Sequence, residues 1–128
     1  TIFPSINKNI NSIFKYNKVE KIISLLESSN EIWAEEAFKS MNKSSPTSLK
    51  ISLKQLRLAK YKSFKDNLII DYRLSQSCMT GVDFYEGVRS VLVDKDFKPI
   101  WSPNKVQDVS SKLVVSHFKS LGKGDLAI

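Results

Sequence analysis

The stretch SSPTSLKISLKQLR, residues 44–57, predicts a helix start and a helix face more clearly than any other part of the chain. The Ser45 hydroxyl can accept a hydrogen bond from a free backbone amide, and the fixed φ of Pro46 suits the first helical position. Three leucines recur at the spacing of one helix face, namely Leu49, Leu53 and Leu56. The stretch therefore predicts a helix that begins at Ser45-Pro46 and packs through its leucines.

Basic residues in and after this stretch carry most of the net charge of the protein. The chain has 20 Lys and Arg residues against 13 Asp and Glu residues, a formal net charge of +7. Residues 1–43 and 66–128 are nearly balanced, whereas residues 44–65 contain no acidic residue. The basic residues of this segment are Lys50, Lys54, Arg57, Lys60, Lys62 and Lys65. Such a segment indicates either an anionic partner or a solvated basic face.

Apolar residues at helical spacing recur on both sides of residues 44–57. A first helix is predicted over roughly residues 5–15, on the spacing of Ile6, Ile10, Ile13 and Phe14. Further helices are predicted to begin near Val19, after Ser28-Ser29-Asn30, at Ser63, near Asp83 and before Val114. No strand pattern, repeat or long linker is evident. The prediction is an all-α chain of about six or seven short helices, forming one domain over residues 1–128.

Acidic residues three positions after a cap predict two more helix starts. Ser63 with Asp66 has the spacing of a capping box, and Asp83 with Glu86 repeats it at the head of VDFYEGVRSVLVD. Gly81 is predicted to end the first of these helices in a left-handed conformation. The apolar faces are predicted from Phe64, Leu68, Tyr72 and Met79 in the first helix, and from Phe84, Val88, Val91 and Leu92 in the second.

Gly87 lies inside the second of these predicted helices, where glycine costs roughly 0.5–1 kcal/mol relative to alanine. Close approach of another backbone is the predicted compensation. The following segment KDFKPIWSP has two prolines around an aromatic residue, so we predict an extended connector that holds Trp101 against the body. The glycines Gly122 and Gly124 predict a loose tail.

Motifs for common chemistries are absent from the sequence. The single Cys78 excludes an internal disulfide and is predicted to be a buried, inert thiol, and His117 has no second histidine with which to share a metal. No glycine-rich phosphate loop, CxxC or GxSxG motif occurs. We therefore predict no catalytic residue, metal or cofactor in this chain, and no membrane partner because no apolar run reaches spanning length.

Several blocks, in order along the chain, resemble one known family. SSPTSLKISLKQL, YRLSQSCM, DFYEGVRSVLVDKDFKPIW and HFKSLGKGDLAI are similar to the carboxy-terminal portion of 3-hydroxyisobutyryl-CoA hydrolases, within the crotonase (enoyl-CoA hydratase/isomerase) superfamily. The resemblance implies the helical carboxy-terminal part of a crotonase-like fold, whose ββα core is missing from this chain.

That resemblance also implies an activity for the whole protein. Members of the family are mitochondrial thioesterases of valine catabolism, which cleave 3-hydroxyisobutyryl-CoA to the free acid and CoA. The amides of the oxyanion hole and the acidic residues that act on water lie on the core, so this chain alone is not expected to be catalytic. The implied partners are a core polypeptide and, with it, an acyl-CoA substrate. Without that core we expect the isolated chain to be unstable.

The basic residues between 44 and 65 leave three interpretations open. They form a solvated face, they contact the phosphates of CoA, or they bind RNA. The third interpretation rests on crotonase-like relatives that are structural proteins of mitochondrial ribosomes, with ribosomal RNA and ribosomal proteins as partners. Tyr61 and Phe64 would then offer stacking surfaces among the lysines, or else belong to the core.

Overall fold

The computed structural model describes residues 3–128, with side chains described from residue 8 onward. Regular structure in this range is helical throughout, which confirms the predicted all-α class and the number of helices. The α-helices are α1 (Phe3–Phe14), α2 (Val19–Glu27), α3 (Ile32–Lys43), α4 (Pro46–Ala59), α5 (Phe64–Thr80), α6 (Val82–Val88) and α7 (Ser111–Ser116). A π-helical turn, Arg89–Val93, continues α6, and single 3-10 turns lie at Val106–Asp108 and Gly122–Gly124.

The chain forms two compact units, Thr1–Ser44 and Ser45–Ile128. In the first unit, α2 packs against both α1 and α3. Its buried apolar side chains are Ile13, Val19, Ile22, Leu26 and Ala34. The side chain of Ile6, used to predict the first helix, lies outside the described residues. No described helix in either unit is long and apolar enough to cross a membrane.

The second unit has a small core where α4, α5 and α7 meet. Its buried members are Ile51, Ile70, Leu74, Val109 and Val114, with Leu113 and Phe118 packed beside them. Helix α4 contacts both α7 and the 3-10 turn that precedes it. The carboxy-terminal part of the chain thus completes the core that α4 and α5 begin.

Helix α4 begins where the sequence predicts, but it buries a different side chain. The Ser45 hydroxyl accepts the Ser48 N–H at 3.1 Å, and Pro46 is the first residue of the helix. Ile51 is buried, whereas Leu56 is 68% exposed, so the predicted leucine stripe is wrong in part. Apolar residues occupy more than one face of this helix, and only the positions of α5 and α7 decide which face becomes the core.

Helix α5 shows the same contrast between its cap and its face. The Ser63–Asp66 capping box is confirmed, with both reciprocal hydrogen bonds present. Phe64 and Met79 are exposed, and the buried residues are Ile70 and Leu74. Gly81 has φ −89° and ψ 168°, an extended conformation, so the predicted left-handed helix end is wrong.

The carboxy-terminal tail is pinned to α5 by an ion pair. Arg73 donates from Nε and Nη2 to the two carboxylate oxygens of Asp125, at 2.7 and 2.6 Å. The Ser120 hydroxyl donates to the same carboxylate, and the pKa of Asp125 is held well below its usual range by Arg73 first and Ser120 second. The tail beyond Gly122 is therefore anchored, and the predicted loose tail is wrong.

Candidate functional site

An apolar groove with a volume of about 690 Å³ lies within the second unit. It runs between the first half of α4, the end of α5 and the α6 helix with its π-helical turn. The sequence predicts an apolar face from Phe84, Val88, Val91 and Leu92, and all four residues line the groove. Other lining residues are Ile51, Cys78, Gly81, Val82, Gly87, Trp101, Leu113 and His117.

Hydroxyl groups and one carboxylate mark the end of the groove at the start of α4. The Ser45 hydroxyl donates to Asp83, and the Asp83 carboxylate also accepts the Ser102 N–H at 2.9 Å. The Thr47 hydroxyl is buried and has no hydrogen-bond partner within the described part of the chain. The groove therefore combines a long apolar wall with a short polar end.

The cysteine and the histidine of the chain both line this groove. Burial raises the pKa of the Cys78 thiol, which disfavours the nucleophilic thiolate. His117 Nδ1 lies 2.9 Å from the Leu113 carbonyl oxygen, one turn earlier on the same segment. Among the described residues, no three His, Cys, Asp or Glu side chains come together as a metal site.

Asp83 and Glu86 do not form the predicted capping box. Asp83 lies inside α6, whose cap position is Gly81, and neither carboxylate accepts from the start of its own helix. Instead the Glu86 carboxylate accepts the Ile100 N–H at 2.7 Å, as Asp83 accepts that of Ser102. The two acids lie about one turn apart on α6, and both accept hydrogen bonds from backbone amides of the connector.

Arg89 links the Glu86 carboxylate to two acidic residues near the start of the connector, Asp94 and Asp96. Its Nε and Nη2 donate to the two oxygens of Glu86 at 2.9 and 2.7 Å. Its Nη1 donates to Asp94 and Asp96 at 2.6 and 2.7 Å. The pKa of Glu86 falls to about 2, first because of Arg89 and then because of the Ile100 N–H, so this carboxylate is ionised at neutral pH.

Gly87 lies opposite the ring of Trp101. A Cβ added at Gly87 would lie 3.4 Å from Cη2 of that ring. The predicted connector that holds Trp101 is present, but the close neighbour of Gly87 is this side chain and not a second backbone. Sequence reasoning missed the arrangement, although Asp83, Glu86 and Arg89 share a three-residue spacing that places them on one helix face.

Two of the predicted basic site residues contact the carboxy-terminal part of the second unit. Lys50 donates from its ammonium group to the Val109 carbonyl oxygen at 2.9 Å. The Lys54 ammonium lies 5.6 Å from the centre of the Phe118 ring, a cation–π distance. These two contacts hold α4 against the segment that runs from the 3-10 turn to the end of α7.

The remaining basic site residues include an exposed group at the turn between α4 and α5. Lys60, Lys62 and Lys65 are exposed there, and Tyr61 and Phe64 are each 80% exposed. Arg57 is half-buried on α4. The sequence left the two aromatic rings either in the core or on the surface, and in this chain the structure places both on the surface.

Comparison with known proteins identifies the family. The enoyl-CoA hydratase/isomerase family model matches residues 3–118. The chain belongs to the enoyl-CoA hydratase/isomerase family. This membership confirms the predicted resemblance, and the chain corresponds to a carboxy-terminal portion of its relatives.

Two relatives that match nearly the whole chain carry the same name. The mitochondrial 3-hydroxyisobutyryl-CoA hydrolase of Homo sapiens is 50% identical over 117 residues, which are 91% of this chain and 30% of the relative. That of Mus musculus is 48% identical over 125 residues, which are 98% of this chain and 32% of the relative. The chain thus spans about a third of the length of the curated relatives that it matches.

Solved structures in the same family share the helical arrangement. An enoyl-CoA hydratase from Rhodobacter sphaeroides 2.4.1 matches with a TM-score of 0.91 and 29% identity, over 100% of this chain and 38% of that one. A carnitinyl-CoA dehydratase from Mycobacterium thermoresistibile matches with a TM-score of 0.84 and 28% identity, over 92% of this chain and 34% of that one. In the family, these helices are therefore part of a longer chain.

Proposed function

We propose that the whole protein is a mitochondrial 3-hydroxyisobutyryl-CoA hydrolase of valine catabolism, and that this chain is its helical carboxy-terminal part. The observation that carries the proposal is the 50% identity to the human hydrolase over 91% of the chain. The solved hydratase and dehydratase, which act on other acyl-CoA compounds by name, are only 29% and 28% identical. The sequence therefore favours the hydrolase within the family.

The chain would contribute shape rather than catalytic groups. Val82, Leu92 and Val93 are between 64% and 68% exposed on α6 and its π-helical turn, beside the groove. Apolar exposure on this scale marks a surface that another part of a protein covers. Since the chain spans about a third of its relatives, the covering part is the preceding ββα core, which supplies the oxyanion hole and the acidic residues.

The test is hydrolysis by the full-length protein that contains this chain. We expect release of free CoA from 3-hydroxyisobutyryl-CoA, followed with a thiol reagent. An enoyl-CoA of similar size is the control substrate, because a hydratase would add water to its double bond without releasing CoA. Hydration of the enoyl-CoA with no CoA release from the hydroxyacyl thioester would contradict the hydrolase and leave the family intact.

A second candidate function is that of a non-catalytic structural protein of the mitochondrial ribosome. The exposed aromatic rings among the lysines favour RNA as its partner. Tyr61 and Phe64 are almost fully exposed beside Lys60, Lys62 and Lys65, a pattern that suits base stacking and phosphate contacts. In this function the groove would still receive the core, and only the α4–α5 turn would meet RNA.

Substitutions at this turn test the RNA interpretation. We expect changing Lys60, Lys62 and Lys65 to Glu to abolish RNA binding by the full-length protein, because these lysines are exposed and binding through phosphates depends on cations. Changing Tyr61 and Phe64 to Ser keeps the charge and should weaken binding by about tenfold or more if the rings stack on bases. An RNA affinity that changes neither with salt concentration nor in either set of variants would rule out this function.

A further inference from the structure

The connector is fixed on both sides of Trp101. The Ile100 N–H donates to Glu86 at 2.7 Å and the Ser102 N–H donates to Asp83 at 2.9 Å. The two acids are three residues apart on α6, and the two amides that they bind are two residues apart in the connector. The backbone of Trp101 is thereby held along α6, with its ring over Gly87.

One guanidinium group ties this arrangement to the start of the connector. Arg89 reaches Glu86, Asp94 and Asp96 through its side-chain donors, and its Nη2 lies 3.3 Å from the Lys98 carbonyl oxygen. Asp96 in turn accepts the Lys98 N–H at 2.9 Å. The five donors of the planar guanidinium group suit this role, because they can bind one carboxylate with two hydrogen bonds and still reach others.

Glu86 accepts hydrogen bonds both from the connector backbone and from Arg89. Its Oε1 accepts from Ile100 and from Arg89, and its Oε2 accepts from Arg89. A glutamine amide has one acceptor oxygen, so it cannot accept all three hydrogen bonds. A glutamine at position 86 would therefore lose at least one of the hydrogen bonds that link Arg89 to the connector carrying Trp101.

We propose that Glu86 and Arg89 are positioning residues, which hold Trp101 against Gly87 and so shape the groove on which the rest of the protein docks. The docking step rests on the proposed function. The hold on Trp101 does not, because it follows from contacts within the described residues. The experiment below measures the two separately.

The first measurement is amide hydrogen exchange of the full-length protein. We expect faster exchange at Ile100, by about tenfold or more, in Glu86→Gln and in Arg89→Lys. The first variant removes the charge on the acceptor of the Ile100 N–H, and the second removes the guanidinium group that holds that acceptor in place. Asp94→Asn is the matched control, since Asp94 contacts Arg89 but accepts no connector amide near Trp101. Exchange at Ile100 within twofold of the parent in both variants would overturn the proposal.

The second measurement is steady-state hydrolysis of 3-hydroxyisobutyryl-CoA. If substrate binds only the docked form, a smaller docked fraction raises the apparent KM and leaves kcat at saturation nearly unchanged. We expect KM to rise several-fold in Glu86→Gln and Arg89→Lys, and not in Asp94→Asn. Faster exchange with unchanged KM would confirm the hold on Trp101 and overturn the docking step. Absence of hydrolysis by the parent would instead refute the proposed function, and exchange alone would then decide whether Trp101 is held.

Discussion

Replacing Val91 with Asp in the full-length protein is expected to lower the free energy of unfolding by about 3–5 kcal/mol, the scale of an unpaired buried charge. Val91 lines the groove and is 47% exposed in this chain. If the ββα core covers the groove, the new carboxylate must be desolvated against the apolar lining or become protonated. Denaturant unfolding measures the loss, and CoA release should fall with it.

Val115 provides a matched control for this substitution. It has the same exposed fraction, 47%, but it lies on α7 and does not line the groove. Val115→Asp should change the unfolding free energy by no more than about 1 kcal/mol, as is usual for surface substitutions. Equal effects of the two variants would show that the groove is not the docking surface.

Replacing Leu74 with Ala is expected to cost about 2–5 kcal/mol of unfolding free energy. Leu74 is only 6% exposed and packs in the core of the second unit with Ile51, Ile70 and Val114. Truncation leaves a cavity that this small core has few side chains to fill. Thermal unfolding of the full-length protein should show a melting temperature lower by several degrees or more.

Leu56→Ala is the control for the core prediction. Leu56 belongs to the leucine stripe that the sequence predicts, yet it is 68% exposed on α4. Its truncation should change the unfolding free energy by about 0.5 kcal/mol or less. A loss as large as that of Leu74→Ala would mean that another part of the complete protein buries Leu56.

Helix starts could be predicted from the sequence because a cap is a local structure. Ser45 and the Ser63–Asp66 pair bind backbone amides within three residues of themselves, so their neighbours in sequence are their partners in space. Pro46 acts locally too, because its fixed φ suits the first helical position. The same spacing at Asp83 and Glu86 predicted a cap that is not there. A carboxylate one turn into a helix can bind any nearby amide, and the connector supplies two of them.

The basic site residues show a similar limit. Their concentration between 44 and 65 was evident from the sequence, but not that Lys50 binds the Val109 carbonyl oxygen, 59 residues away. Periodicity also could not assign Tyr61 and Phe64 to the surface, because an aromatic residue near a helix end can be either buried in a core or exposed to solvent. Whether these cations also meet CoA or RNA stays a prediction.

The sequence by itself determined the helical class, the starts of α4 and α5 and the family, since short-range hydrogen bonds, apolar periodicity and ordered motifs are all written along the chain. Only the tertiary structure decided which faces are buried, what Asp83, Glu86 and Arg89 bind, and that an apolar groove opens between α4 and α6. Those features depend on residues far apart in sequence, so their free energy comes from contacts that no local pattern contains.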